Sequence, residues 1–237
     1  MKWNKISAIA LKELGHFFVS PMGYVVIAIF FLVSGFFFQL IALQGKVAQM
    51  SFVFQNTLIV LMFITPFITM RLWSEEEKTG TAELLRTSPL TTWEIVLGKY
   101  LAILGFFVVM LSSTFVYLFI MLSAGNPDMG PVAANYLGYI LVGMSFFALG
   151  LLASTLSENQ IISAVIAYGL LLMLWIVGAA SDSTQGKLSE FLKSLSMFEH
   201  VNDFMRGVID LTHVFYFVSL IFVGLFFSVK VLDGKRG

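Results

Sequence analysis

Six stretches of this chain, residues 17–45, 47–70, 100–127, 129–157, 159–181 and 214–229, contain no Asp, Glu, Lys, Arg or His. A membrane-spanning helix needs roughly 20 predominantly apolar residues. Each run meets that length once the last is allowed to start near Leu211. Runs this long are not the alternating ten-residue segments of a membrane barrel, and backbone groups in lipid must be bonded within their own segment. The chain is therefore expected to be an all-helical integral membrane protein with six transmembrane helices. Composition agrees: 58% of the 237 residues are hydrophobic and 12% charged, with mean hydropathy +0.90. A soluble fold of this size cannot bury so much apolar surface.

The expected spans are about 22–44, 52–72, 97–123, 134–157, 160–181 and 211–231, all in one domain covering 1–237. An even number of spans returns the chain to its starting side. That side would hold Lys2, Lys5, Lys12, Arg71, Lys78, Arg86, Lys99, Lys230, Lys235 and Arg236, against Lys46, Lys187, Lys193 and Arg206 on the other. Ten cations against four place both ends in the cytoplasm of a plasma (inner) membrane protein. No small-residue cleavage site follows the first apolar run, so no removable signal peptide is read.

Three segments lie outside the spans. Residues 1–20 put Trp3, Ile6, Ile9, Ala10, Leu14 and Phe17 on one broad helical face, with Lys5, Lys12 and His16 on another. This spacing describes an interfacial helix on the inner leaflet, ended by Pro21. The loop 71–99 carries most of the acidic charge on that side. Thr79 or Thr81 is placed to cap a short helix bearing Glu83, Leu84 and Leu85 and stopped by Pro89; Thr91 or Thr92 caps a second start that carries Glu94. In the outer segment 182–210, Leu188, Phe191, Leu192 and Leu195 recur at helical spacing, which predicts one or two amphipathic helices, with Gly207 as a hinge or close-packing site.

Several chemistries are missing. Zero net charge provides no basic field for nucleic acid. There is no cysteine, no H-E-x-x-H and no phosphate-binding G-x-x-x-x-G-K-[ST] loop. The charge-free spans lack the ionisable relay of a proton-coupled carrier. His200 and His213, thirteen residues apart with Glu199 and Asp203 nearby, make metal binding a minor reading beside ordinary interfacial histidines. Catalytic, cofactor and metal sites are therefore not assigned, and ATP hydrolysis would require another polypeptide.

The loop sequence Glu76-Glu77-Lys78-Thr79-Gly80-Thr81-Ala82-Glu83-Leu84-Leu85, then Ser88-Pro89-Leu90 and Glu94-Ile95-Val96-Leu97-Gly98-Lys99, resembles the first cytoplasmic loop of type 2 ATP-binding-cassette (ABC) permeases. Lys12-Glu13-Leu14 with Ser20-Pro21, and Phe204-Met205-Arg206-Gly207-Val208-Ile209-Asp210, extend the resemblance towards the gliding-motility subgroup. It implies a permease that performs no catalysis, dimerises with a second permease chain and docks on a cytoplasmic ABC ATPase subunit holding ATP and Mg. It further implies that Glu76, Glu77, Gly80, Thr81, Glu83, Leu84, Leu85 and Pro89 form the ATPase-coupling element and that Lys12 and Glu13 belong to the interfacial helix. Pro66 offers a kink to absorb the resulting tilt. An export cargo, or force passed to an outer-face partner protein, would be the output. The competing readings are an ion-coupled secondary transporter or channel, and a membrane anchor or assembly factor.

Overall fold

The computed structural model describes residues 3–43, 50–125, 127–182 and 186–235. Lys2, Lys46 and Arg236 of the orientation argument lie outside them. Twelve helices are described: α1 (Trp3–Val19), α2 (Pro21–Leu43), α3 (Met50–Thr69), α4 (Ser74–Thr79), α5 (Thr81–Thr87), α6 (Thr92–Ser112), α7 (Phe115–Ala124), α8 (Met129–Leu156), α9 (Gln160–Asp182), α10 (Lys187–Leu195), α11 (Met197–Met205) and α12 (Leu211–Gly234). The described residues include no strand. Six helical stretches are long and apolar enough to cross a bilayer, carried by α2, α3, α6 with α7, α8, α9 and α12. This is a multi-pass membrane protein.

α8 is the central helix, packed against α3, α6, α9, α11 and α12. Its small residues permit this. A Cβ on Gly143 would sit 2.4 Å from the Phe107 ring, and one on Gly150 would sit 2.5 Å from the Thr69 hydroxyl. Lipid supplies little hydrophobic drive between helices, so close backbone approach and interhelical hydrogen bonds hold the bundle. Tyr100 donates to the Met144 carbonyl (3.0 Å) and Tyr139 to that of Thr57 (3.3 Å).

Two expectations need correcting. The third span is not one uninterrupted helix: α6 ends at Ser112 and α7 begins at Phe115. The hydroxyls of Ser112, Ser113 and Thr114 each donate to the carbonyl three residues back, at 2.6, 2.7 and 2.7 Å. A cluster of such bonds competes with the regular ladder and tightens the turn. The loop 71–99 holds two short helices rather than one, and neither Thr79 nor Thr81 caps the second; Gly80 occupies that position at φ +75°. On the apolar face of α1, Trp3 lies at the helix start, away from the bundle. It is 71% exposed, while Ile6 is buried and Ile9, Leu14 and Phe17 pack on the core.

Other local readings hold. Thr91 caps α6, and the Glu94 side chain accepts from the Thr91 amide at 3.0 Å, completing a capping box. The segment 182–210 contains two helices, α10 and α11, as the spacing predicts. Gly207 has φ +86° and packs on Pro131, which a Cβ would approach to 2.9 Å.

Candidate functional site

α1, α4, α5 and the C-terminal end of α12 meet at one face of the bundle. Their junction is ionic and largely dry. Lys99, two turns into α6, has a side chain only 2% exposed. Its ammonium donates to Glu76 of α4 (2.7 Å) and Glu13 of α1 (3.3 Å). A cation so buried is tolerable only with carboxylate partners, because its desolvation otherwise costs several kcal/mol. Glu76 is itself strained electrostatically: one carboxylate oxygen bonds Lys99 and the other, Oε2, is buried with no hydrogen-bond partner.

A second ionic strand runs beside the first. The indole N–H of buried Trp73 donates to Glu77 (2.8 Å), which also receives the Lys235 ammonium just past α12 (3.2 Å). Thr92 at the start of α6 donates to Asp233 of α12 (2.5 Å). Ser154 of α8 accepts from the amides of Trp73 (3.0 Å) and Ser74 (3.3 Å), fixing the turn between α3 and α4. Lys5 of α1 donates to the Pro89 carbonyl (2.6 Å). α4 is thus tied to α1, α6, α8 and α12 together.

α5 stands differently. Ala82 is buried and Leu85 packs on the core, but Thr81 and Glu83 are exposed and Leu84 is 71% exposed. The result is a short rod with a free outer ridge, joined through Gly80 to a helix locked into the bundle. Its hinge is locally tied, since the Thr79 and Thr81 hydroxyls are 3.0 Å apart.

The resemblance-derived residues therefore separate into two groups. Glu13, Glu76 and Glu77 are brought together as an internal ionic web, whereas Gly80, Thr81, Glu83, Leu84 and Pro89 lie on the exposed side. Lys12 is 62% exposed and only 3.8 Å from Glu13, a surface pair of little energetic weight. Lys99, Lys235, Asp233 and Trp73 were not read as site residues from the sequence. A signal existed for Lys99: a helix capped at Thr91 carries it two turns inside, where a lone cation needs partners.

Beside the web, a cleft of about 660 Å³ opens between α1, the start of α2 and the end of α3, with Phe17, Met22, Val26 and Phe67 in its lining. Lys12, His16 and Arg71 line it together with Glu13 and Glu75. On the opposite face, His200 and His213 contact one another, and among the described residues no group of three His, Asp or Glu is arranged to hold a metal ion.

Six candidate spans with α8 at their centre, an amphipathic first helix and two short charged helices on the same face make up a multi-pass membrane protein. Residues 38–232 match the ABC-2 family transporter proteins. The chain belongs to that family. The probable multidrug ABC transporter permease YbhR of Escherichia coli (strain K12) is 33% identical over 104 residues, 44% of this chain and 27% of that protein. Its counterpart in Escherichia coli O157:H7 matches to the same extent. The matched region thus spans 27% of the length of these curated relatives.

Proposed function

We propose that this chain is the membrane subunit of an ABC transporter, coupled to a separate cytoplasmic ATPase that binds ATP and Mg. The observation that carries this reading is the contrast between α4 and α5. α5 offers an exposed ridge of Thr81, Glu83 and Leu84, while α4 is held by buried charges to α1, α6 and α12. Force applied to α5 by a closing ATPase is delivered to three helices at once, because buried ion pairs resist being pulled apart. Pro66, inside α3 just ahead of α4, lacks an amide hydrogen and provides a place for that helix to bend.

On this reading both described ends and the α4–α5 pair face the cytoplasm of the inner membrane, as the surplus of Lys and Arg on that side supports. Two permease chains enclose the substrate route. The loop and outer motifs support the gliding-motility subgroup. Charge-free spans, and the likeness to a permease named for multidrug transport, support an apolar or amphiphilic cargo or force passed to an outer partner.

The test is affinity capture of the full chain from its native membrane with an ATPase assay, using wild type, Glu83→Lys and Leu84→Asp. Capture of a soluble ATPase by wild type, with its stimulated activity lost in both variants at unchanged expression, supports the coupling assignment. Equal stimulation by all three chains refutes it.

A further inference from the structure

The face opposite the ionic web holds a chain of three hydrogen bonds that has no part in ATPase coupling. His200 of α11 places Nε2 at 3.1 Å from the Ser194 carbonyl at the end of α10. Its Nδ1 lies 2.6 Å from Nδ1 of His213 on α12. The remaining nitrogen of His213, Nε2, lies 2.8 Å from the Asp203 carboxylate of α11. Tyr216 closes the cluster, its ring stacked on His200 at 3.9 Å and its hydroxyl donating to the Leu195 carbonyl at 2.7 Å.

Proton counting constrains this arrangement. A carbonyl only accepts, so His200 Nε2 carries hydrogen. Two nitrogens 2.6 Å apart hold one hydrogen between them, and the contact of His213 with the carboxylate needs another. Three bonds need three protons, whereas two neutral imidazoles bring two. The trio therefore holds one proton more than two neutral histidines and an ionised aspartate. Remove it and one bond is lost, leaving bare nitrogen against bare nitrogen or a lone pair against the carboxylate. Add a further proton and two N–H groups point at each other.

We propose that His200, His213 and Asp203 form a single-proton latch between α11 and α12, closed within a bounded pH window and opened on either side of it, which releases the α10–α11 cap. The Asp203 carboxylate, in contact with His213 Nε2, ties α12 back to α11. Burial pulls the His200 imidazole below the ordinary histidine range, opposed by its bond to Ser194 and reinforced by His213. A histidine depressed in this way binds its proton more readily when the cap is open, so acidification through the ordinary histidine range favours opening. The surrounding ionisable groups are Glu199 on α11, Asp210 ahead of α12, and Tyr216. Among the packed neighbours, α10 carries Lys187, Glu190 and Lys193, α8 starts after Asp128 and α9 ends at Asp182.

Two measurements on the full chain in lipid nanodiscs test the latch. Nitrogen-15 NMR of labelled histidine, with His16→Gln leaving only the pair, is expected to show one imidazolium and one neutral Nε2–H imidazole near neutral pH. Two neutral rings would overturn the proposal. Hydrogen exchange of amides 196–205, corrected for the intrinsic effect of pH, is expected to slow to a minimum and to rise about tenfold on each side, as loss of one charged hydrogen bond implies. A flat or monotonic profile would overturn it. Asp203→Asn should move the alkaline edge to lower pH, and His213→Gln should abolish the window. If either variant does not fold, both readings on the native chain decide the matter.

Discussion

Replacing Lys99 with Met removes the ammonium that joins α1 to α4 while keeping most of the aliphatic volume. Glu13 and Glu76, each with a side chain 15% exposed, then face one another without their shared cation. Their nearer oxygens lie no farther apart than the 3.3 and 2.7 Å contacts placed end to end. At about 6 Å and an effective dielectric near 20, two like charges repel by about 3 kcal/mol. This agrees with the roughly 3–5 kcal/mol measured when one partner of a buried pair is removed. We expect hydrogen exchange of residues 74–79 to accelerate by about a hundredfold or more, at about 1.4 kcal/mol per tenfold, with a lower Tm. Adding Glu76→Gln should restore most of the loss, because the penalty belongs to the stranded charge rather than to the missing bond. Unchanged exchange in Lys99→Met, or no recovery in the double variant, would refute this account of the web.

The packing of α1 supplies a matched pair. Gly98→Ala places a Cβ 2.7 Å from Cβ of Ile9, an atom fixed to its backbone, so α1 must shift; a net loss of about 1–3 kcal/mol is expected from the Tm. Gly105→Ala meets only the methyl ends of Leu14 at 3.3 Å and should be close to neutral in the same assay. At the hinge, Gly80→Ala encounters no atom within 4 Å but must adopt φ +75°. It should cost about 1–2 kcal/mol through conformation alone, read as faster exchange in α5.

Span count and element type were legible because the cost of exposing backbone and charge to lipid is large and local. A run without ionisable residues announces itself without knowledge of its neighbours. The capping box at Thr91 and Glu94, the outer helices and the close packing at Gly207 were readable for a related reason: each depends on residues a few positions apart. The interruption between α6 and α7 was not. Ser112, Ser113 and Thr114 carry no charge and so pass for part of one span, and their effect arises from hydroxyls turning to backbone carbonyls. The family resemblance grouped Glu76 and Glu77 with Glu83 in one element. Only packing separates the buried pair from the exposed one.

The sequence by itself determined that the chain carries six stretches long and apolar enough to cross a membrane, that its two ends fall on one side, and that an amphipathic helix and an acidic loop gather there. These follow from transfer free energies summed over contiguous residues. Tertiary structure decided which charges are internal. Lys99 finds Glu13 and Glu76, which are 86 and 23 residues away, and Glu77 finds Lys235 across 158 residues. The two histidines meet as α11 folds back on α12. Partners so distant along the chain are chosen by helix packing, and the low dielectric of the packed interior turns their proximity into energy.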